Sequence, residues 1–241
     1  MRHLLVALLS LCCVTSVFAD ELDTRQSILY PYSSTIRLQE DFISASSAVG
    51  VIGALNWAFS GGTVVTISGE ANHPGLLRRS TNAGITNAAT FINASTGNVF
   101  TATLPHYVHS QIRLNDVDNN TYIRVGFANS WASSLPNQGF WIEKALLDTN
   151  WFCVNRNSTT GTTRVDSGVA VTTSFFDMRH VWDGTGTRFY INGVDVCGYV
   201  TGDIPSASLF LGPGFTVGTD IAATKTADLD YIDFNMTGFT R

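Results

Sequence analysis

Three aspartates stand near the end of the chain in the order Asp228-Leu-Asp230-Tyr-Ile-Asp233. Two carboxyl groups facing each other across a sugar are the equipment of glycoside hydrolysis, one as acid and one as base or nucleophile. On a regular strand Asp228 and Asp230 share a face, and Asp233 falls on the other. A bulge is needed to bring Asp233 round. The expectation is therefore that all three are polar positions on an edge or outer strand, and that none is catalytic. A second cluster is His106-Tyr-Val-His109-Ser-Gln111-Ile-Arg113. His109, Gln111 and Arg113 alternate onto one strand face, where they can line a polar groove and contact a glycan. Trp131 sits in a Ser/Asn-rich loop, where an exposed ring could stack on a sugar; burial is the competing reading. Trp57, Trp141, Trp151 and Trp182 lie among apolar neighbours and read as core.

Asn115-Asp-Val-Asp118-Asn-Asn120 offers oxygens to Ca²⁺ but lacks the Gly and the distal Glu of a calcium loop, so it reads first as a polar hairpin turn. Asn72-His-Pro-Gly75 reads as a turn leading into Leu76-Leu77. No other metal site and no soluble cofactor is expected, since no nucleophile elbow, P-loop or dinucleotide fingerprint occurs. Cys12 and Cys13 lie in the N-terminal apolar run. That leaves Cys153 and Cys197, which in an oxidising compartment most simply bond to each other. The zinc alternative, with His180 nearby, lacks ligand spacing. Asn93, Asn119, Asn157 and Asn235 each open an N-glycosylation sequon.

The elements that must hold these groups are strands. The 241 residues are 44% hydrophobic and only 14% charged. That composition excludes intrinsic disorder and coiled coils. Lys occurs only at 144 and 225, while Gly is 21 and Phe 15. Strand patterns cover Thr63–Ser68, Thr121–Phe127, Gly139–Glu143, Trp151–Asn155 and Arg164–Val171. They continue through Phe175–Trp182, Thr187–Asn192, Asp195–Tyr199, Ala207–Leu211 and Asp228–Phe234. Asp183-Gly184 and Asn192-Gly193 mark hairpin turns. No helix longer than a turn or two is expected, Glu143–Leu147 being the best candidate. The fold class is all-β, an antiparallel sandwich.

At the N-terminus, Met1-Arg2-His3 precedes the apolar run Leu4 to Phe18, and Val17-Phe18-Ala19 supplies small residues for cleavage before Asp20. The run is too short to span a bilayer. Residues 1–19 therefore read as a signal peptide, and the protein as secreted, without membrane insertion. Residues 20–38 read as an extended arm whose apolar patch is Ile28, Leu29, Tyr30 and Tyr32, and residues 39–241 as one sandwich domain. A net charge of −5 with no basic cluster beyond Arg78-Arg79 excludes nucleic acid as partner.

From Glu40-Asp41-Phe42 onward the chain resembles concanavalin A-like sandwich modules of predicted bacteriophage virion and tail-associated proteins. The resemblance runs through Gly53-Ala-Leu-Asn-Trp57, Asn72-His-Pro-Gly75, Trp141-Ile-Glu143 and Asn150-Trp-Phe152. It continues at Trp182-Asp-Gly184, Arg188-Phe-Tyr-Ile-Asn-Gly193, Ile204-Pro205 and Asp230-Tyr-Ile232. It implies a jelly-roll sandwich with a structural or adhesive role. The aspartate strand is also similar to the Glu-x-Asp-x-x-Glu strand of laminarinase-type glycoside hydrolases, with Asp in place of Glu. His109 to Arg113 is faintly similar to the Gln-Ile-His strand of alginate lyases, with Arg113 where those enzymes have histidine. The resulting expectation is a non-enzymatic extracellular subunit that assembles with identical copies, its arm pairing with a neighbour's sheet edge. The alternative is a secreted glycan-binding module, and a polysaccharide-degrading enzyme ranks behind both.

Overall fold

Alternating apolar and polar residues put one face of each segment in a core and the other in water, and the chain answers with strands almost throughout. A computed structural model describes residues 35–42, 51–52, 57–82, 87–92, 100–131 and 135–238. The strands are β1 (Thr35–Glu40), β2 (Val51–Ile52), β3 (Trp57–Ser60), β4 (Thr63–Glu70), β5 (His73–Ser80) and β6 (Asn87–Ile92). Next come β7 (Phe100–Thr101), β8 (His106–Leu114), β9 (Thr121–Ala128), β10 (Gln138–Lys144), β11 (Asn150–Asn157) and β12 (Gly161–Ala170). The last are β13 (Phe176–Trp182), β14 (Thr187–Ile191), β15 (Val194–Asp195), β16 (Phe210–Thr219) and β17 (Thr226–Thr237). Among the described residues no helix is long and apolar enough to cross a membrane.

Two antiparallel sheets face each other. The first runs β15-β14-β13-β8-β17-β5-β4, with β1 also paired to β17. The second runs β12-β11-β10-β9-β16-β6-β3-β2, with β7 beside β16. Between them lies an aromatic core: Phe127 stacks on Phe234 at 5.2 Å, and Phe140 on Trp182 at 5.0 Å. Trp57, Trp151 and Trp182 are buried in this core, as their apolar neighbours require, whereas Trp141, also read as core, is buried in a separate cluster on the outside of the second sheet. Cys153 of β11 bonds to Cys197 beyond β15, stapling the second sheet to the far edge of the first. Closing that 44-residue loop stabilises the fold by about 4 kcal/mol in the chain-entropy picture.

Several sequence expectations change here. Thr35–Leu38, assigned to the arm, pairs with Thr237–Phe234 of the same chain as the greater part of β1. Ile36 and Leu38 pack toward the core, while Thr35, Arg37 and Gln39 face out, so the alternation closes this chain's own sheet. The remainder of the arm, including Ile28, Leu29, Tyr30 and Tyr32, lies outside the described residues, as does the leader. His73-Pro74 opens β5 instead of turning. The strand expected at Asp195–Tyr199 stops at Asp195, because Asp195 caps the amide of Gly198 and Cys197 is drawn to β11. Glu143 and Lys144 belong to β10, with a turn after them.

The strand pattern expected at Ala207–Leu211 starts at Phe210 and runs on to Thr219 through the breaker-like Gly212-Pro-Gly214, where the small residues make room. A Cβ on Gly218 would come within 1.9 Å of the Tyr122 ring. Pro213 falls between the segments paired to β7 and to β6, where no donor is needed on that side.

Two histidines lie inside this core. His106 and His180 meet edge to face at 5.4 Å, His106 donating from Nδ1 to Leu104 O at 2.8 Å. Burial pushes the His106 pKa down to about 4, and the same burial, with His106 beside it, drives His180 well below its usual value. Both rings are neutral in the folded state, so the unfolded chain binds more protons below about pH 6.5, and stability falls as pH falls. For His106 the loss reaches about 3 kcal/mol by pH 4. Denaturant unfolding between pH 7 and pH 4 should show this decline, with neither ring titrating by NMR above about pH 5 while the protein stays folded. A ring that titrates near 6.5 in the native state would contradict it.

Candidate functional site

β8 and β17 run side by side at the centre of the first sheet. β8 alternates strictly, so Tyr107, His109, Gln111 and Arg113 face outward together. β17 does not alternate strictly. Its register against β8 shifts between Leu229 and Tyr231, leaving Asp230 in a bulge. After it Tyr231 pairs with Gln111, Asp233 with His109 and Asn235 with Tyr107, while Ile232, Phe234 and Met236 turn into the core. The bulge thus brings Asp233 to the face of Asp228, which a regular strand would not.

The three carboxylates are all engaged. Asp228 is fully buried at 0% exposure and bridges two arginines: Arg78 of β5, at 2.6 and 2.8 Å, and Arg113 of β8, at 2.9 Å. Burial raises the Asp228 pKa, but the hydrogen bonds from Arg78 and Arg113 outweigh it and hold the group below the usual carboxylate range. Arg113 also pairs with Glu70 and lies 4.5 Å over Phe175, on whose ring His73 stacks at 3.9 Å. His73 Nδ1 is 2.8 Å from Asp230. Asp233 takes Arg37 at 3.2 Å and the Tyr107 hydroxyl at 3.0 Å. A carboxyl group kept ionised by two guanidiniums, as Asp228 is, cannot serve as a general acid near neutrality. Nor is Arg113 free to neutralise a uronate.

On the other side of β8, His109 Nε2 lies 2.7 Å from Asp177 of β13 and 2.8 Å from the Tyr231 hydroxyl, which also reaches Asp177 at 3.2 Å. Burial and Asp177 raise the Tyr231 pKa, so the phenol remains a donor. Beyond His109, Arg179 of β13 lies 4.4 Å over the Tyr190 ring of β14. Of the glycan-contact candidates, the structure assembles His109, Gln111 and Arg113 here. Trp131 is elsewhere and 2% exposed, donating from Nε1 to Gly212 O at 2.8 Å and packing with Ala128, Trp141 and Val154 on the outside of the second sheet. Its ring offers no open face to a sugar.

The calcium candidate loop is already neutralised from within. Lys225 donates to Asp116 at 2.5 Å and also to Asp118, and Lys144 donates to the carbonyls of Asp118 and Thr121. Both lysines of the chain are therefore committed to this one loop, and an ammonium stands where a cation would sit. Among the described residues no group of three or more metal-ligating side chains occurs. Of the sequons, Asn119 is exposed and Asn235 half-buried on the outer face of β17. Asn157 is buried, donating to Ile204 O at 2.9 Å and accepting from the Thr159 amide, and a glycan on Nδ2 would break that donation. Asn93 lies outside the described residues.

Sequence reasoning missed a second ionic centre on the outside of the other sheet. Glu143 of β10 accepts from Arg124 at 2.8 Å, Arg164 at 2.7 Å and Trp141 Nε1 at 2.9 Å. Burial raises its pKa, and Arg124, Trp141 and Arg164 together bring it below normal. Both oxygens are engaged, Oε2 by Arg124 and Trp141 and Oε1 by Arg164, which makes the centre a strut. A Glu two residues after Trp141, near the end of β10 and following its apolar run, was the available signal.

No protein-family model and no curated protein sequence matches this chain. Solved structures do. A protein of unknown function from Shewanella oneidensis MR-1 superposes with TM-score 0.64 at 13% identity, covering 90% of this chain and 96% of its own. The Emp47p carbohydrate recognition domain gives 0.58 at 8%, covering 84% and 95%. A beta-1,3-glucanase from Mycobacterium marinum gives 0.54 at 10%, covering 82% and 97%. The chain is a concanavalin A-like β-sandwich, and at these identities the likeness carries the fold alone.

The charge ladder ranks its members by burial. Asp228→Asn should cost about 3 kcal/mol by removing the buried charge that pairs Arg78 and by leaving Arg113 with Glu70 alone. Asp233→Asn, whose partner Arg37 is half-exposed, should cost under about 1 kcal/mol. Urea unfolding of the two variants tests the order, and equal costs would refute it.

Proposed function

We propose that this chain is a secreted, non-catalytic glycan-binding module that takes its ligand across the outer face of the first sheet. The observation that carries the reading is the half-exposed row formed by Tyr107, His109, Gln111, Tyr231 and Asn235 on β8 and β17. His109 and Tyr231 are held by mutual hydrogen bonds and Tyr107 by Asp233, so the surface is ordered before a ligand arrives. Gln111 and Asn235 add amides, which both donate and accept, as sugar hydroxyls require. Two proteins of like fold, a carbohydrate recognition domain and a glucanase, are named for carbohydrate. Secretion rests on the leader at residues 1–19 together with the Cys153–Cys197 bond.

The fibre-subunit reading loses part of its mechanism, because the segment from Thr35 onward pairs within its own sheet. The glycan reading is tested by probing a glycan array with the secreted protein and then measuring the positive ligands by calorimetry. Gln111→Ala and Asn235→Ala should each weaken binding several-fold with little change in melting temperature. An array with no bound glycan, or binding indifferent to both substitutions, would refute the proposal.

A further inference from the structure

We infer that Arg179 reads a carboxylate on the ligand, which makes the ligand class an acidic saccharide. The inference rests on the glycan-binding reading above and adds the chemistry of what is bound.

The arginines of this outer face are otherwise committed. Arg37 pairs with Asp233, Arg78 and Arg113 with Asp228, and Arg188 with Asp195. Arg179 is the exception: it forms no ion pair or hydrogen bond with any described residue, and its one contact of note is the Tyr190 ring beneath it. It stands on β13, inside the sheet, paired across to His109 on one side and to Tyr190 on the other. The nearby carboxylates are occupied elsewhere. Asp177, two residues along the same strand and on the same face, is turned to His109 and Tyr231. Asp233, opposite His109, is taken by Arg37 and Tyr107.

An arginine held 4.4 Å over an aromatic ring has lost much of its side-chain freedom, while its guanidinium N–H groups have no partner among the described residues. That edge carries only donors. A neutral sugar hydroxyl can satisfy one of them weakly. A carboxylate presents two coplanar oxygens that match the fork bidentately, with hydrogen bonds about twice as strong as neutral ones. The chain as a whole is acidic at −5, so general attraction of anions is not available to it. Selectivity for an acidic sugar must come from a local donor set, and Arg179 beside His109 and Tyr107 is where this face supplies one.

The test compares three ligands on the full secreted protein: an oligouronate, the same oligomer with its carboxyls methyl-esterified, and a sulfated neutral oligosaccharide. The expected result is at least about tenfold tighter binding of the oligouronate than of its ester. Arg179→Gln should abolish that preference while the ester binds as before. Arg179→Lys, which keeps the charge without the fork, should retain only part of it. Since Arg179 has no carboxylate partner among the described residues and loses only its Tyr190 ring contact, the melting temperature should move little in either variant. Equal binding of oligouronate and ester would overturn the inference and leave the glycan reading standing, as would a preference that survives Arg179→Gln. Tighter binding of the sulfated ligand would overturn the choice of carboxylate. Failure of all three ligands, together with an empty array, would overturn both readings.

Discussion

Asp228 ties three strands together. Its two oxygens are shared between Arg78 of β5 and Arg113 of β8 while its backbone runs in β17 between them. A buried carboxylate cannot remain charged without such partners, and two guanidiniums cannot approach so closely without a carboxylate between them. The mutual requirement sets the register of the central strands. One residue beyond this bridge β17 bulges, and at about the same place its second edge passes from β5 to β1. The order of groups on the outer face follows from that point onward.

The low charge content makes each ionic group easier to account for. Both lysines neutralise the Asp116–Asp118 loop, and Glu143 gathers Arg124 and Arg164 on the second sheet. Most of the charges are thus structural fasteners spread over the outsides of both sheets, and the interior is left to aromatic rings and two neutral histidines. Against that background Arg179, the one described arginine on the outer face of the first sheet without a carboxylate partner, stands out, whereas on a densely charged surface it would mean little.

The face proposed to bind a glycan and the hydrolase-like spacing occupy the same two strands, and protonation chemistry separates the two readings. Hydrolysis needs one carboxyl group that stays protonated near neutrality, which desolvation without a cation provides. Asp228 has the desolvation, but two cations reverse its effect. What the arrangement retains is a set of fixed donors and acceptors, the requirement for binding.

The all-β class, the core placement of Trp57, Trp151 and Trp182, the pairing of Cys153 with Cys197 and the shared face of His109, Gln111 and Arg113 were legible in the sequence. They depend on local alternation, apolar context and cysteine number, all of which act within a few residues or by elimination. Other features depended on partners distant in the chain. Thr35–Glu40 became a strand because β17 offered an edge some 200 residues away. Gly212-Pro-Gly214 stayed in a strand because β9 and the gap between β6 and β7 accept it. Trp131 is buried on the outer face of the second sheet because the Gly212 carbonyl accepts its Nε1–H and Trp141 packs beside it. The bulge at Asp230 turned Asp233 outward through a shift of one residue against β8, and period-two reasoning on a single strand carries no information about its neighbour's register.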